Sequence, residues 1–186
     1  GRRIVLGVSG GIAAYKAAEL VRLLVKAGAD VHVVLSEGGA RFVTAVTFQA
    51  LSGNTVWTDL WDARMPNNMA HIDLGRDADA ILAVTPEYNG TIPAVLKNAI
   101  DWLSRPYGAG AVSGKPLAVI GTALGQYGGV WAHDETRKSF GIAGADVVDV
   151  KLSLPASAFD GKHPREAAEV VDGVRGVVAK LAAEVG

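Results

Sequence analysis

The sequence predicts a three-layer α/β/α domain on a doubly wound, five-stranded parallel sheet of order 2-1-3-4-5. Three observations predict it. Short, nearly all-apolar runs alternate with segments of helical periodicity along the chain. The runs lack the in–out alternation of a sheet with one wet face, so both faces should be covered. Glycines are many, 23 in 186 residues, and they cluster in a few places, chiefly after the apolar runs.

The elements follow in order. "RIVLGV" (3–8) is a buried strand running into glycines, and residues 12–27 carry apolar positions at helical spacing until Gly28 stops them. "DVHVVLS" (30–36) is the second strand, and "GGARFVTAVTFQALSG" (38–53) reads as one helix. Residues 55–68, with two tryptophans, two asparagines and Pro66, read as mostly loop. "ADAILAVT" (78–85) is the third strand and 92–103 a helix; "KPLAVIGT" (115–122) is the fourth strand and 130–140 a helix. "ADVVDVKLS" (145–153) is the fifth strand, and 164–185 a closing helix with Pro164 near its start. The whole is read as one domain, 1–186, without repeat or linker.

Composition narrows the chemistry. A net charge of −1 gives no reason to expect nucleic acid or an anionic membrane as partner. The absence of cysteine excludes disulfides, thiolate catalysis, iron–sulfur clusters and cysteine-based metal sites, and a cytoplasmic setting is expected. No metal-ligating cluster stands out, and the apolar runs are too short to span a bilayer. His32, His133 and His163 read as structural or surface residues, and Lys97, Asp101 and Arg105 as a solvated or subunit-facing stripe.

In a sheet of this order, ligands bind beyond the carboxyl ends of the strands where the winding reverses, between strands one and three. The loops after Val8, Val84 and Ile120 carry the glycines, and three converging loops favour a ligand over mere tight turns. Ser9, Gly10 and Gly11 sit at a helix start, where free N–H groups attract an anion. The spacing is neither G-x-G-x-x-G nor G-x-x-x-x-G-K-[ST], and Lys16 lies too deep in the helix to act as a P-loop lysine. A dinucleotide reading, in which Glu37 grips a ribose, is disfavoured by that spacing. Ser36 either reaches the same anion or caps the helix that follows, and the sequence does not choose between the two.

The stretch from "RIVLGVSGGIAAYK" to "NMAHIDLGRDADAIL", residues 1 to about 82, resembles the phosphopantothenoylcysteine decarboxylase domain of the homo-oligomeric flavin-containing cysteine decarboxylase family. That resemblance implies a flavodoxin-like fold and an FMN phosphate held by Ser9, Gly10, Gly11, Ile12 and Ser36. It makes His71 the match for the family's active-site histidine. From about residue 78 the likeness changes. "TPEYNGTIPAVLKNAIDWLSRP" and "KPLAVIGTALGQYGGVWAHDETRKSFGIAGADVV" resemble the NADPH-dependent FMN reductases, also flavodoxin-like. This second resemblance sets Pro86, Glu87, Tyr88, Asn89 and Gly90 along the isoalloxazine ring, with Leu124, Gly125, Tyr127, Gly128 and Gly129 on its other side.

Each likeness covers about half of the chain, which implies a recombined, engineered chimera of two flavoprotein halves, 1–82 and 83–186. The decarboxylases' Pro-Ala-Ser/Thr-Ala-Asn-Thr motif is missing after strand three, so decarboxylation is not expected, and His71 remains without its partners. The reductases' Ser-Leu-Arg start of the phosphate loop is missing too. The expected function is therefore FMN binding with little or no turnover. The alternative is an oxidoreductase passing hydride from NADPH, a transient reductant, to bound FMN and on to flavin or quinone. A bare scaffold that keeps the fold and has lost the ligand is the remaining reading. A monomer or homodimer is expected.

Overall fold

The computed structural model describes residues 2–8, 14–58 and 75–185. These fall into two compact units, Gly1–Asp79 and Ala80–Gly186.

In the first unit, β1 (Arg3–Val8) and β2 (Asp30–Leu35) pair in parallel, Arg3 opposite Asp30 and Val8 opposite Leu35. Helix α1 (Ala14–Lys26) ends at Gly28, whose φ of +87° suits a residue without a Cβ. The fully buried Val31, Val33 and Leu35 alternate along β2, facing Val21 of α1 and Phe48. The helix expected over 38–53 is two: α2 (Glu37–Ala40) and α3 (Ala45–Ser52). Gly38 and Gly39 are poor helix formers, Val43 and Thr44 are β-branched, and Thr44 is extended at ψ 154° to start α3 afresh. Trp57 adds a bridge to β2, taking the Leu35 amide and donating to Val33 O. The rest of the segment read as loop, from 59 onward, lies outside the described residues. His32 Nε2 and Asn54 Nδ2 both reach the Asp30 carboxylate, which holds that carboxyl below its usual range.

In the second unit, β3 (Ile81–Val84), β4 (Pro116–Ala123) and β5 (Asp146–Pro155) pair in parallel in that order. The expected order 2-1-3-4-5 contains both observed series. β3 is shorter than the 78–85 expected, although the Thr85 amide still donates to Ile120 O. Helices α4 (Ala94–Leu103) and α5 (Val130–Ile142) cover one face of β4, through Leu117 and Val119. Helix α6 (Ala168–Ala183) covers the other, through Ala118 and Ile120 against Val177 and Leu181. Both faces of this sheet are thus covered. The closing helix starts later than expected: Pro164–Glu166 is a single 3₁₀ turn, and the extended Ala167 separates it from α6. The charged stripe is part paired: Lys97 Nζ meets both carboxylate oxygens of Asp101 at 2.5 and 2.6 Å, and Arg105 lies beyond the end of α4.

The β4–β5 ladder slips once. Leu117 faces Val147 but Val119 faces Lys151, so β5 carries extra residues at that step. Arg137 of α5 sits over the slip. Its Nη2 donates to Val119 O at 2.9 Å and Val150 O at 3.3 Å, and its Nη1 to Asp134 at 3.1 Å. Burial pushes its pKa down and Asp134 opposes that; a guanidinium stays charged regardless. The side chain therefore supplies donors to carbonyls that the slipped ladder re-aims. Arg137→Ala is expected to cost on the order of 3 kcal/mol, as buried acceptors lose their donor. The urea midpoint relative to the parent protein is the check.

Candidate functional site

The loops that carry the predicted ring contacts both leave the carboxyl ends of strands in the second unit. The first begins at Thr85. Its buried side chain donates to Pro86 O at 3.0 Å. Glu87 does not lie free on the surface: its carboxylate accepts from the Ala132 amide at 3.1 Å. Ala132 is in the first turn of α5, so the carboxylate satisfies an amide that the helix itself cannot. A charge-assisted bond at that pole contributes about 1 kcal/mol. Tyr88 and Thr91 exchange both backbone hydrogen bonds, at 3.0 and 3.1 Å, around Asn89 and Gly90. Asn89 at φ +51° and Gly90 at φ +77° give the left-handed pair that an Asn-Gly hairpin turn needs. Thr91 then donates its hydroxyl proton to Glu135 of α5.

The second loop spans 124–129. Leu124 is 95% exposed, and Tyr88 and Tyr127 are also exposed. Tyr127 packs on Trp131 with ring centroids 5.0 Å apart. Gly128 and Gly129 are buried at φ +62° and +88°, turning the chain into α5; a Cβ on Gly128 would stand 2.7 Å from backbone atoms at Leu154 and Pro155. Their visible task is close packing beneath the loop, while Leu124, Gly125 and Tyr127 form its outer surface. Among the described residues, no partner accepts from the amides of Asn89, Gly90, Gly125, Gln126 and Tyr127. Exposed aromatic faces beside unclaimed donors match a planar heterocycle that bears carbonyls and ring nitrogens.

Beneath both loops lies His133, fully buried. Its Nε2 is 3.0 Å from Thr85 O and its Nδ1 is 2.6 Å from the Ser153 hydroxyl. Gly121 allows this approach: a Cβ there would stand 2.0 Å from Thr85 O and 2.5 Å from Nε2. Loss of hydration holds the imidazole pKa below the ordinary 6.5, despite the Thr85 carbonyl; Arg137 lowers it further, and Glu87 and Asp134 oppose. The sequence read this histidine as structural or surface, and the fold makes it structural. Its signal was there: at i+4 from Gly129, it lies on the buried stripe of α5 with Ala132, Thr136, Arg137 and Phe140.

In the first unit, Ser9, Gly10, Gly11 and Ile12 lie outside the described residues, as does His71. Ser36 caps α2, its Oγ accepting from the Gly39 amide at 3.1 Å. This takes a lone pair and leaves the hydroxyl proton for another acceptor, so the cap and an anion contact are compatible. Glu37 is exposed and pairs with Arg41. Among the described residues, no group of three His, Asp or Glu side chains is placed to hold a metal, and no helix is long and apolar enough to cross a membrane.

The family model for NADPH-dependent FMN reductase matches residues 5–158. The N-terminal part is 54% identical over 82 residues to the Coenzyme A biosynthesis bifunctional protein CoaBC of Haemophilus influenzae, a match covering 44% of this chain and 20% of that protein. The chain thus spans about a fifth of the length of the curated relatives it matches. Among solved structures, FerB from Paracoccus denitrificans, a flavoenzyme NAD(P)H:(acceptor) oxidoreductase, superposes with a TM-score of 0.63 at 23% identity over 99% of both chains. A flavodoxin from Pseudomonas aeruginosa gives 0.53 at 19% identity, over 98% of this chain and 99% of that one. The fold is flavodoxin-like α/β.

Two outcomes are expected. Gly121→Ala should cost several kcal/mol, since its Cβ meets backbone that has no room to yield, whereas Gly125→Ala, with open space and an ordinary φ, should stay within about 0.5 kcal/mol of the parent. Chemical denaturation of both variants decides it. Stability should also fall with acid. Between the depressed folded pKa of His133 and 6.5, the unfolded chain binds a proton that the folded chain does not. The stability present above pH 6.5 is therefore lost as pH drops from 6.5 through the folded value. Urea midpoints at pH 7.5 and 5.5 should differ more for the parent than for His133→Gln.

Proposed function

The chain belongs to the NADPH-dependent FMN reductase family, and from that premise we propose that it binds FMN beyond the carboxyl ends of its strands. The observation that carries this is the pair of loops after β3 and β4, where exposed Tyr88, Leu124 and Tyr127 stand beside unclaimed backbone donors. Pro86, Glu87, Tyr88, Asn89 and Gly90 would hold one side of the ring. Leu124, Gly125 and Tyr127 would hold the other, with Gly128 and Gly129 shaping the turn. Ser9, Gly10, Gly11, Ile12 and the spare hydroxyl proton of Ser36 would take the phosphate. The proposal includes the full strand order 2-1-3-4-5.

The origin proposed is a recombination of two flavoprotein halves. Two observations support it: the curated relatives match at about half identity over 82 residues, and the boundary between the compact units, Asp79 to Ala80, falls inside the "ADAIL" stretch where the likeness changes. Decarboxylation is not part of the proposal, and His71 has no assigned role. Bound flavin supplies hydride acceptance from a reduced nicotinamide and electron delivery to an acceptor. The chain's part is to bind, orient and shield the ring. Turnover is proposed to be low, because the reductases' arginine-bearing phosphate loop is missing. A working reductase is the second reading, favoured by a family match that begins at residue 5 and runs across the switch point.

Titration of FMN with the protein, followed by flavin fluorescence and the visible spectrum, tests the proposal. Saturable quenching with a shifted, structured band is expected, and a free-flavin spectrum at high protein concentration overturns it. Tyr88→Ala should weaken binding by roughly tenfold if its face stacks on the ring, with little effect on an exposed site's stability. Bleaching of the bound flavin by NADPH at many turnovers per minute would favour the reductase reading over simple binding.

A further inference from the structure

The loop after β3 begins at a proline, which has no N–H to anchor it. Its point of departure rests on the Thr85 carbonyl, and that carbonyl is held by His133 Nε2 at 3.0 Å. A carbonyl only accepts, so Nε2 carries the ring proton, and Nδ1 accepts from the Ser153 hydroxyl at 2.6 Å. The same ring fills the space that two glycines leave. A Cβ on Gly121 would stand 2.5 Å from Nε2, and one on Gly129 3.1 Å. One fully buried imidazole thus meets the ends of β3 and β4, the turn into α5, and β5. The rest of the loop is tied to the same helix: Glu87 to the amide beside His133, and Thr91 to Glu135.

The geometry points to His133 as the positioning residue of the Pro86–Gly90 loop: it fixes the carbonyl from which the loop departs, and thereby how tightly the loop holds its ligand. The ligand, FMN, is taken from the proposed function; the positioning of the loop is not. Both hydrogen bonds as drawn need the neutral Nε2–H tautomer. A second proton on the ring forces Ser153 to turn from donor to acceptor and puts a charge where hydration is absent. Around the ring, Arg137 on the same helix opposes an added positive charge, while Glu87 from the loop and Asp134 from the helix favour it. The charged ring would keep its Nε2–H bond to Thr85 O, so the cost of acid falls on hydration and on the Ser153 side of the ring.

Two readouts test this, one of them without flavin. Amide hydrogen exchange at Tyr88 and Thr91, whose bonds close the hairpin, should quicken several-fold in His133→Leu, relative to amides of α6. Should that variant fail to fold, Ser153→Ala removes the donor on the other side of the ring and should quicken the same amides. His133→Gln, which keeps a donor and an acceptor but does not titrate, should restore the parent's exchange. For FMN, His133→Leu and Ser153→Ala should weaken binding several-fold, and His133→Gln should restore it. Parent-like loop exchange in His133→Leu or Ser153→Ala overturns the inference. Failure of the parent to bind FMN at any pH would instead overturn the proposed function, and the exchange result would still decide the role of His133.

Discussion

His133 donates to the Thr85 carbonyl because that carbonyl has only lone pairs to offer, and the rest of this end of the second unit follows from that bond. The imidazole must come close, so β4 carries Gly121 where any side chain would strike both ring and carbonyl. The helix that bears the ring must start in the right place, so Gly128 and Gly129 turn sharply at positive φ into α5. With the helix fixed, its first turn presents the Ala132 amide, and Glu87 reaches it from the loop. Each step narrows where Tyr88 and the Asn89–Gly90 turn can sit.

The balance of terms explains why this end is polar inside. Burying a histidine and an arginine in one helix costs hydration at both, and neither gains stability over an apolar residue of the same shape by default. What they supply is direction. Arg137 re-ties the carbonyls of a slipped ladder, and His133 orients a loop that begins with a residue unable to donate. The apolar face of α4 and α5, through Ile100, Ala132 and Phe140 against Leu117 and Val119, provides the non-directional stabilisation against which those costs are offset. Thr136 satisfies itself by donating to Ala132 O one turn back, at 2.7 Å, and so fits the same stripe without a partner from the sheet.

Most of the architecture could be read from residues because it follows from periodicity. The nearly all-apolar runs of β2 and β4 announced strands with covered faces, and Gly28 and Gly53 announced the ends of helices. What could not be read has specific causes. The break between α2 and α3 came from two glycines and two β-branched residues inside an otherwise helical text. The late start of α6 came from one extended alanine after a proline that looked like a helix opening. Glu87 was read as a ring contact from resemblance; that its carboxylate also accepts from the first turn of a helix forty-five residues on is a pairing that no local pattern reveals. His133 was read as structural or surface, and the choice between the two stayed open because a stripe holding histidine, threonine and arginine does not look buried until the strand carbonyls that need donors are in place.

The central claim is that the unclaimed amides of the two loops after β3 and β4 receive the ring of a flavin. The most direct measurement is the ¹H–¹⁵N spectrum of the protein with and without FMN. The account predicts the largest shifts at Asn89, Gly90, Gly125, Gln126 and Tyr127, with α6 unmoved. Shifts confined to other parts of the chain, or a spectrum that FMN leaves unchanged, would contradict it.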